Sequence, residues 1–368
     1  MAEGMSLTSS EGFPMNGGDG EGSYFINSSH QRYGADRSKG MMVAKIFENL
    51  SIENMSSSTT LRIADLGCSV GPNTFTAVET IIEAVSQKYH TTKWHHSGDL
   101  PEYQVYFTDV VSNDFNHLFT NLPQPKQYFA AAVPGSFHGR LFPKFSLDIV
   151  YSAYALHWLS KTPQELLDPN SPAYNKGRIL YANSPNEVAQ AYETQYAKDI
   201  QCFLHARAQE ISPQGLMVLL VPGRPDGTSP QQPSIAPIFE PVESCLADLV
   251  NEGLLSEDKF DTFNLPMYCP CMEELKSLIH KNGCFDILTL EMQPPSPSPS
   301  PFHSAQEMRA GLDSILIEHF GHQIVEQLFD RYSKKVAGRS RLAPSVGLFV
   351  ILKRRYVESC NQNVLDST

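Results

Sequence analysis

Residues 61–66 (LRIADL) read as a buried strand carrying an acid near its end, and the chain then turns through Gly67 and Gly71 into a helix. That helix covers 74–89 (TFTAVETIIEAVSQKY), with apolar residues at helical spacing, and opens just after Pro72, which suits a first turn. The pattern is D-x-G-x-x-x-G. Glycine allows a tight turn and a close backbone approach to a ligand, and in an open α/β sheet ligands settle beyond the carboxyl ends of the strands. The turn lacks the dinucleotide pattern G-x-G-x-x-G, which seats a pyrophosphate on a helix N-terminus. A cofactor with an amino-acid tail and no phosphates suits it better. A second strand, 103–108, ends at Asp109, where a carboxylate can accept hydrogen bonds from both hydroxyls of a ribose. Taken singly, the turn could serve packing alone, and Asp109 could cap a helix or sit in a solvated loop. Acids at two successive strand ends make a turn built only for packing the weaker alternative.

Strand and helix signals continue to alternate. Residues 35–50 have helical spacing, 147–152 (LDIVYS) read as a strand, 188–210 as a long amphipathic helix, and 215–221 (GLMVLLV) as a wholly apolar strand. Such alternation predicts an α/β protein, a parallel sheet with helices on both faces. After Pro222 loops and helices predominate, with helices expected over 242–252, 272–282 and 304–336. The run 294–301 (PPSPSPSP) reads as an exposed extended loop. Residues 346–353 (VGLFVILK) form a strong strand that returns to the sheet. Residues 1–14 are small, polar and aperiodic, and are expected to be disordered.

Composition narrows the function. At 368 residues the chain can hold one large core, or a core with an inserted lobe. A formal net charge of −12 argues against nucleic acid, which needs a basic face, but leaves room for a small anionic substrate. No uncharged apolar run approaches membrane-spanning length, and the first residues lack the basic and apolar regions of a secretion signal. A cytoplasmic protein without membrane attachment is expected. Seven cysteines, an odd number, fit reduced thiols better than a disulfide framework. Cys269 and Cys271 are too close in sequence for usual zinc spacing, and the loop bearing His90, His95 and His96 around Trp94 reads as solvated rather than metal-binding.

Just past a strand end, 151–160 (YSAYALHWLS) place His157 beside Trp158, one of two tryptophans. The indole N–H is a donor with no acceptor capacity. The alternative is that Trp158 packs in the core and His157 is a satisfied structural histidine. Residues 17–31 (GGDGEGSYFINSSHQ) look like a flexible loop when read alone. Within 133–140 (VPGSFHGR), Phe137 is suited either to stack on an adenine or to fill the core.

Taken together and in order, these motifs resemble the plant SABATH methyltransferases, which include salicylic acid, benzoic acid and jasmonate carboxyl methyltransferases and caffeine-pathway N-methyltransferases. The markers are MNGGDGEGSYFINSSHQ from Met15, ADLGCSVGPNTF, SNDFNHLF (112–119), VPGSFHGRLFP, SAYALHWLS, AYNKGRI (173–179) and DTFNLPMY (261–268). The resemblance runs to Lys353. It implies a Rossmann-like class I methyltransferase core with a seven-stranded, mostly parallel sheet over 15–160, 205–230 and 343–356. It also implies an α-helical cap and substrate lid over 161–204 and 231–342, a disordered tail over 357–368, and a homodimer. The cofactor implied is S-adenosylmethionine, lined by Tyr24, Cys68, Asn73, Asp109, Val110, Ser136 and Phe137, with Asp109 on the ribose and Phe137 beside the adenine. Gln31, Tyr154, His157 and Trp158 would face the substrate. Asn175, Asp261, Phe263 and Asn264 match positions where some members bind magnesium (Mg2+), a hard cation that oxygen donors suit. Two features depart from the family: Asn16 stands where several carboxyl methyltransferases have lysine, and the stretch after Gly223 is shorter than usual.

The reaction implied is methyl transfer to the carboxylate of a small plant acid, giving a methyl ester. A carboxylic acid is almost fully ionised at neutral pH and needs no general base, so no residue acts beyond positioning the substrate. N-methylation of a purine-like substrate is the rival within the family, and a non-catalytic small-acid binding protein the rival outside it. A nicotinamide dehydrogenase is disfavoured by the first turn.

Overall fold

The computed structural model describes residues 12–52, 60–91, 100–293, 303–337 and 346–356. Of the disorder expected over 1–14, residues 1–11 lie outside the described residues, whereas Gly12 and Phe13 line a cavity. The tail 357–368, the part of the histidine loop at 92–99 and the proline run at 294–301 also lie outside the described residues. Seven strands form one sheet in the order β3-β2-β1-β4-β5-β7-β6. They are β1 (Thr60–Leu66), β2 (Glu102–Asp109), β3 (Phe129–Pro134), β4 (Leu147–Ala153), β5 (Ile211–Gly223), β6 (Phe285–Gln293) and β7 (Val346–Arg354). The first five run parallel, and β7 is antiparallel to both β5 and β6.

The apolar strands are central because both faces of the sheet are covered. Along β5, Met217, Leu219 and Val221 enter one core while Leu216, Val218 and Leu220 enter the other. One core contains α1 (Ser29–Asn49) and α2 (Asn73–Thr91). The other contains α4 (Asn186–Glu210), α5 (Ala236–Asn251), α7 (Met272–Asn282), α8 (His303–Phe320) and α9 (His322–Ala337). Two short helices, α3 (Phe115–Thr120) and α6 (Glu257–Asp261), join the loops between them. Along the chain the strands spread from β1 outward to β3, then return to β4 on its other side. The reversal between β1 and β4 opens a crevice beyond their carboxyl ends. At the opposite ends Arg62 and Asp148 join these two strands by a bidentate pair of 2.9 Å contacts.

Three differences from the sequence reading have physical causes. The helix expected over 304–336 is two helices, broken at Gly321, whose φ is +84°. The first helix begins at Ser29 instead of Ala35. Most consequentially, β6 lies in the stretch read as cap. It is an edge strand, buried only at Phe285 and Thr289, and its interior acids Asp286 and Glu291 mask the strand signal. No helix among the described residues is long and apolar enough to cross a membrane.

Candidate active site

The turn after β1 is pinned to the end of β2. The main-chain N–H groups of Gly67 and Cys68 both donate to Thr108 O, at 2.8 and 3.1 Å. Asp109 then accepts from Ser69 N through Oδ2 at 2.7 Å and from Val110 N through Oδ1 at 2.8 Å. Gly67 has φ +84°, and a Cβ there would lie 2.4 Å from Ala155 Cβ. Only glycine lets this turn and the segment after β4 approach so closely.

A cavity of about 620 Å³ opens at this junction, within the range of small-molecule sites. Tyr24, Asp109, Val110, Ser136 and Phe137, expected at the cofactor, all line it. Cys68 and Asn73 do not. Cys68 is buried under the turn, its Sγ 3.4 Å from Ser69 O, and burial pushes its thiol well above the usual range. Asn73 joins the first two helices, donating to Ser28 O at 3.1 Å and accepting from Arg32 Nε at 3.2 Å.

Of the residues expected at the substrate, Tyr154 and Trp158 line the cavity, while Gln31 and His157 stand outside its wall. Trp158 bridges to Met267, Leu159 N donates to Pro266 O at 2.7 Å, and Tyr268 N donates to His157 O at 2.8 Å. The segment carrying the His-Trp pair is therefore sewn to 266–268. Desolvation lowers the His157 pKa to about 3, so the ring is neutral, and its Nδ1 is buried without a protein partner. Gln31 Oε1 is likewise buried and unpartnered. Burial raises the Tyr154 hydroxyl to about 12, so it remains a donor.

The four residues expected to hold magnesium lie near one another and are partly engaged with protein groups, although Asn175 Oδ1 and Asn264 Nδ2 are buried without a partner. Asn175 donates to Asn264 Oδ1 at 2.6 Å, and Asp261 accepts from Gly177 N at 2.8 Å and from the Tyr174 hydroxyl at 3.2 Å. Phe263 and Asn264 reach the cavity wall; Asn175 and Asp261 do not. The set holds one carboxylate, and among the described residues no group of three or more His, Cys, Asp or Glu side chains could hold a metal ion. A hard cation fits this donor set poorly.

Several lining residues were not among the site residues expected from the sequence. Phe13 and Met15 come from the N-terminal segment, which is tied down by Asn16 N donating to Ala310 O at 2.8 Å and Tyr24 N donating to Asn16 O at 2.9 Å. Asn16, the departure from the family's lysine, also closes this loop by donating to Gly22 O at 2.9 Å. Ile315, Glu318 and His319 arrive on α8, and Lys161 and Thr162 follow the His-Trp segment. Only the tertiary fold brings these together.

Electrostatics define the ligand. Burial raises Asp65 to about 7, partly offset by the Thr74 hydroxyl donating to it, with Asp109 nearby raising it further. Burial raises Asp109 to about 6, opposed by its two backbone donors. Neither is ion-paired among the described residues. Asp109 in the cavity wall, with the buried Asp65 behind it and no cation beside either among the described residues, suits a cationic ligand and disfavours a pyrophosphate.

A seven-stranded sheet of this order, with the last strand antiparallel and a ribose-suited acid ending β2, defines a class I methyltransferase that uses S-adenosylmethionine. The model of the SAM dependent carboxyl methyltransferase family matches residues 10–355, and the chain belongs to that family. It is 41% identical over 360 residues to loganic acid O-methyltransferase of Catharanthus roseus, covering 95% of this chain and 96% of that protein. A solved structure of loganic acid methyltransferase with SAH aligns with a TM-score of 0.86 at 40% identity, covering 93% of this chain and 99% of that one. A 3,7-dimethylxanthine N-methyltransferase of Camellia sinensis var. assamica is 35% identical over 359 residues, covering 92% and 95%. The enzyme is an S-adenosylmethionine-dependent carboxyl O-methyltransferase.

Two outcomes follow from this geometry. A Cβ at Gly34 on α1 would lie 1.6 Å from the Tyr154 hydroxyl. Although alanine is the better helix former, Gly34→Ala is expected to displace Tyr154 and lower kcat/KM for the acid by roughly 10- to 100-fold. Adding Tyr154→Phe should recover part of the loss; steady-state kinetics on both variants measures this. The second concerns pH. Carboxylates raised by burial stabilise the ligand-free fold below their unfolded pKa values, and that contribution is lost as pH rises through about 6 and 7. A cationic ligand favours their ionised forms, so affinity for S-adenosylmethionine should rise over the same window. Calorimetry across the window should show the rise, and Asp65→Asn should flatten it.

Proposed function

We propose that this cavity takes the acid as its carboxylate and turns one oxygen toward the cofactor's methyl group. The observation carrying this reading is that one cavity is lined both by the acid ending β2 and by Tyr154 and Trp158. Each Asp109 oxygen keeps acceptor capacity beyond its backbone donor, enough to take the two ribose hydroxyls. Ser136 and Phe137 would flank the adenine, and Tyr24 would close over the cofactor from the N-terminal segment. S-adenosylmethionine, when bound, supplies an electrophilic methyl on a good leaving group.

The chain's own task is orientation and exclusion of water. The Trp158 N–H and Tyr154 hydroxyl are neutral donors, which hold a carboxylate oxygen without neutralising the nucleophile. Gln31 and His157 stand just behind the wall, with Gln31 Oε1 and His157 Nδ1 buried and unpartnered. In this reading the Gln31 amide N–H and an imidazole N–H turn to donate to the carboxylate as it binds. A neutral His157 takes no proton, in keeping with a nucleophile that is already ionised. The magnesium expectation enters no step, since the set offers a single carboxylate and that carboxylate is already taken up by Gly177 N and the Tyr174 hydroxyl.

Loganic acid, the substrate named for two of the relatives, is the first acid to test, alongside aromatic and fatty acids. Dimethylxanthine represents the N-methyl alternative, which the Camellia relative supports. We also infer a homodimer working in the cytoplasm. The dimer rests on family kinship, and the reducing compartment on Cys68, Cys202, Cys245, Cys269 and Cys271 being free thiols. Light scattering that gave the 41.0 kDa of one chain would overturn the dimer.

Transfer of labelled methyl to an acid, released by mild base as an ester is, tests the central reading; label appearing only on the xanthine would sink it. Trp158→Ala should abolish turnover while leaving cofactor affinity nearly intact. Asp109→Ala should mainly weaken cofactor binding, and the reverse pair of phenotypes would undo the assignment of roles.

A further inference from the structure

The loop after β3 has a physical difficulty. Because β3 is the edge of the sheet, residues 135–146 leave it with a strand neighbour on one side only. Yet this loop carries Ser136, Phe137 and His138 into the cavity wall. What holds it is a buried ion pair on the last turn of α4. Arg207 and Glu210 are both fully buried, joined by Arg207 Nη2 and Nε to Glu210 Oε2 at 2.7 Å. The other side-chain hydrogen bonds of the pair go to the loop. Arg207 Nη1 donates to Phe137 O and Nη2 to Gly139 O, each at 2.9 Å. Glu210 Oε1 accepts from Leu141 N at 2.5 Å and from Phe142 N at 2.9 Å.

The arrangement is a fork facing a loop. Both loop carbonyls meet guanidinium donors, and both loop amides meet the carboxylate. Phe203, one turn earlier on α4, packs edge-on against Phe137 at 6.1 Å and beneath the Arg207 guanidinium at 5.2 Å. Phe145 N adds a bond to Gln209 O at 2.9 Å. Since β5 begins at Ile211, immediately after Glu210, the clamp joins an edge loop to a central strand of the sheet.

We propose that Arg207 and Glu210 are positioning residues for the cofactor, fixing the Ser136–Phe137 wall without touching the ligand. A buried ion pair is by itself weak evidence for stability, because desolvation consumes much of the attraction, and apolar replacements are often neutral or better. Its use here lies in the four directed bonds to the loop, which no apolar pair can make.

That difference supplies the test, which rests on the cavity being the S-adenosylmethionine site. Arg207→Met alone strands a buried carboxylate and should lower Tm as well as affinity. The double variant Arg207→Met/Glu210→Leu removes both charges and should regain Tm. If the pair positions the loop, the double variant still binds S-adenosylhomocysteine about tenfold or more weaker in calorimetry. Adenosine, a probe confined to the nucleoside part, should lose the same factor, while KM for the acid at saturating cofactor stays unchanged. Recovery of affinity together with Tm, or a loss confined to the acid, overturns the inference. Failure of the unaltered enzyme to bind S-adenosylhomocysteine would instead overturn the site assignment itself.

Discussion

The structure depends on the contact between the turn after β1 and the end of β2. Two amides of that turn share the Thr108 carbonyl, and a third meets the Asp109 carboxylate. With Gly67 pressed on Ala155, the ends of β1, β2 and β4 become one rigid corner. That corner sets where a ribose can sit and where the His-Trp segment leaves β4. Burying Asp65 and Asp109 together there is costly without a counter-charge. The corner is therefore complementary to a cationic cofactor before any substrate arrives.

Around that corner the cavity is assembled from parts with different anchors. The wall bearing Ser136 and Phe137 is tied through Arg207 and Glu210 to the start of β5. The tryptophan wall is tied to 266–268, and the N-terminal segment to α8 through Asn16. Each anchor is a short set of hydrogen bonds between segments far apart in sequence. Such a design lets the cap vary while the methyl-transfer corner stays in place, which fits a family whose relatives act on an acid and on a xanthine.

Much of the corner was readable from residues 61–109 because its signals are local. A buried strand, a glycine turn and a helix opening just after Pro72 occupy consecutive positions, and Asp109 follows its own strand. The central strands were equally plain, since burial on both faces leaves an unbroken apolar run. The edge strand β6 was not, because half-burial admits Asp286 and Glu291 and erases that run. Nor could Gln31, His157, Cys68 and Asn73 be separated from true lining residues by motif alone. A motif says that residues travel together, not which of them lines the cavity.

By itself the sequence determined the α/β class, the cofactor turn, the acid at the end of β2 and the kinship to carboxyl methyltransferases. Each of these rests on periodicity or spacing within a few dozen residues, where backbone preference and burial act locally. Only the tertiary structure decided that Ile315 and His319 close the cavity, that Asn175 and Asp261 turn to neighbouring polar groups, and that a buried Arg–Glu pair holds the edge loop. Those outcomes depend on where whole elements pack, and packing brings together side chains whose separation along the chain carries no record of their contact.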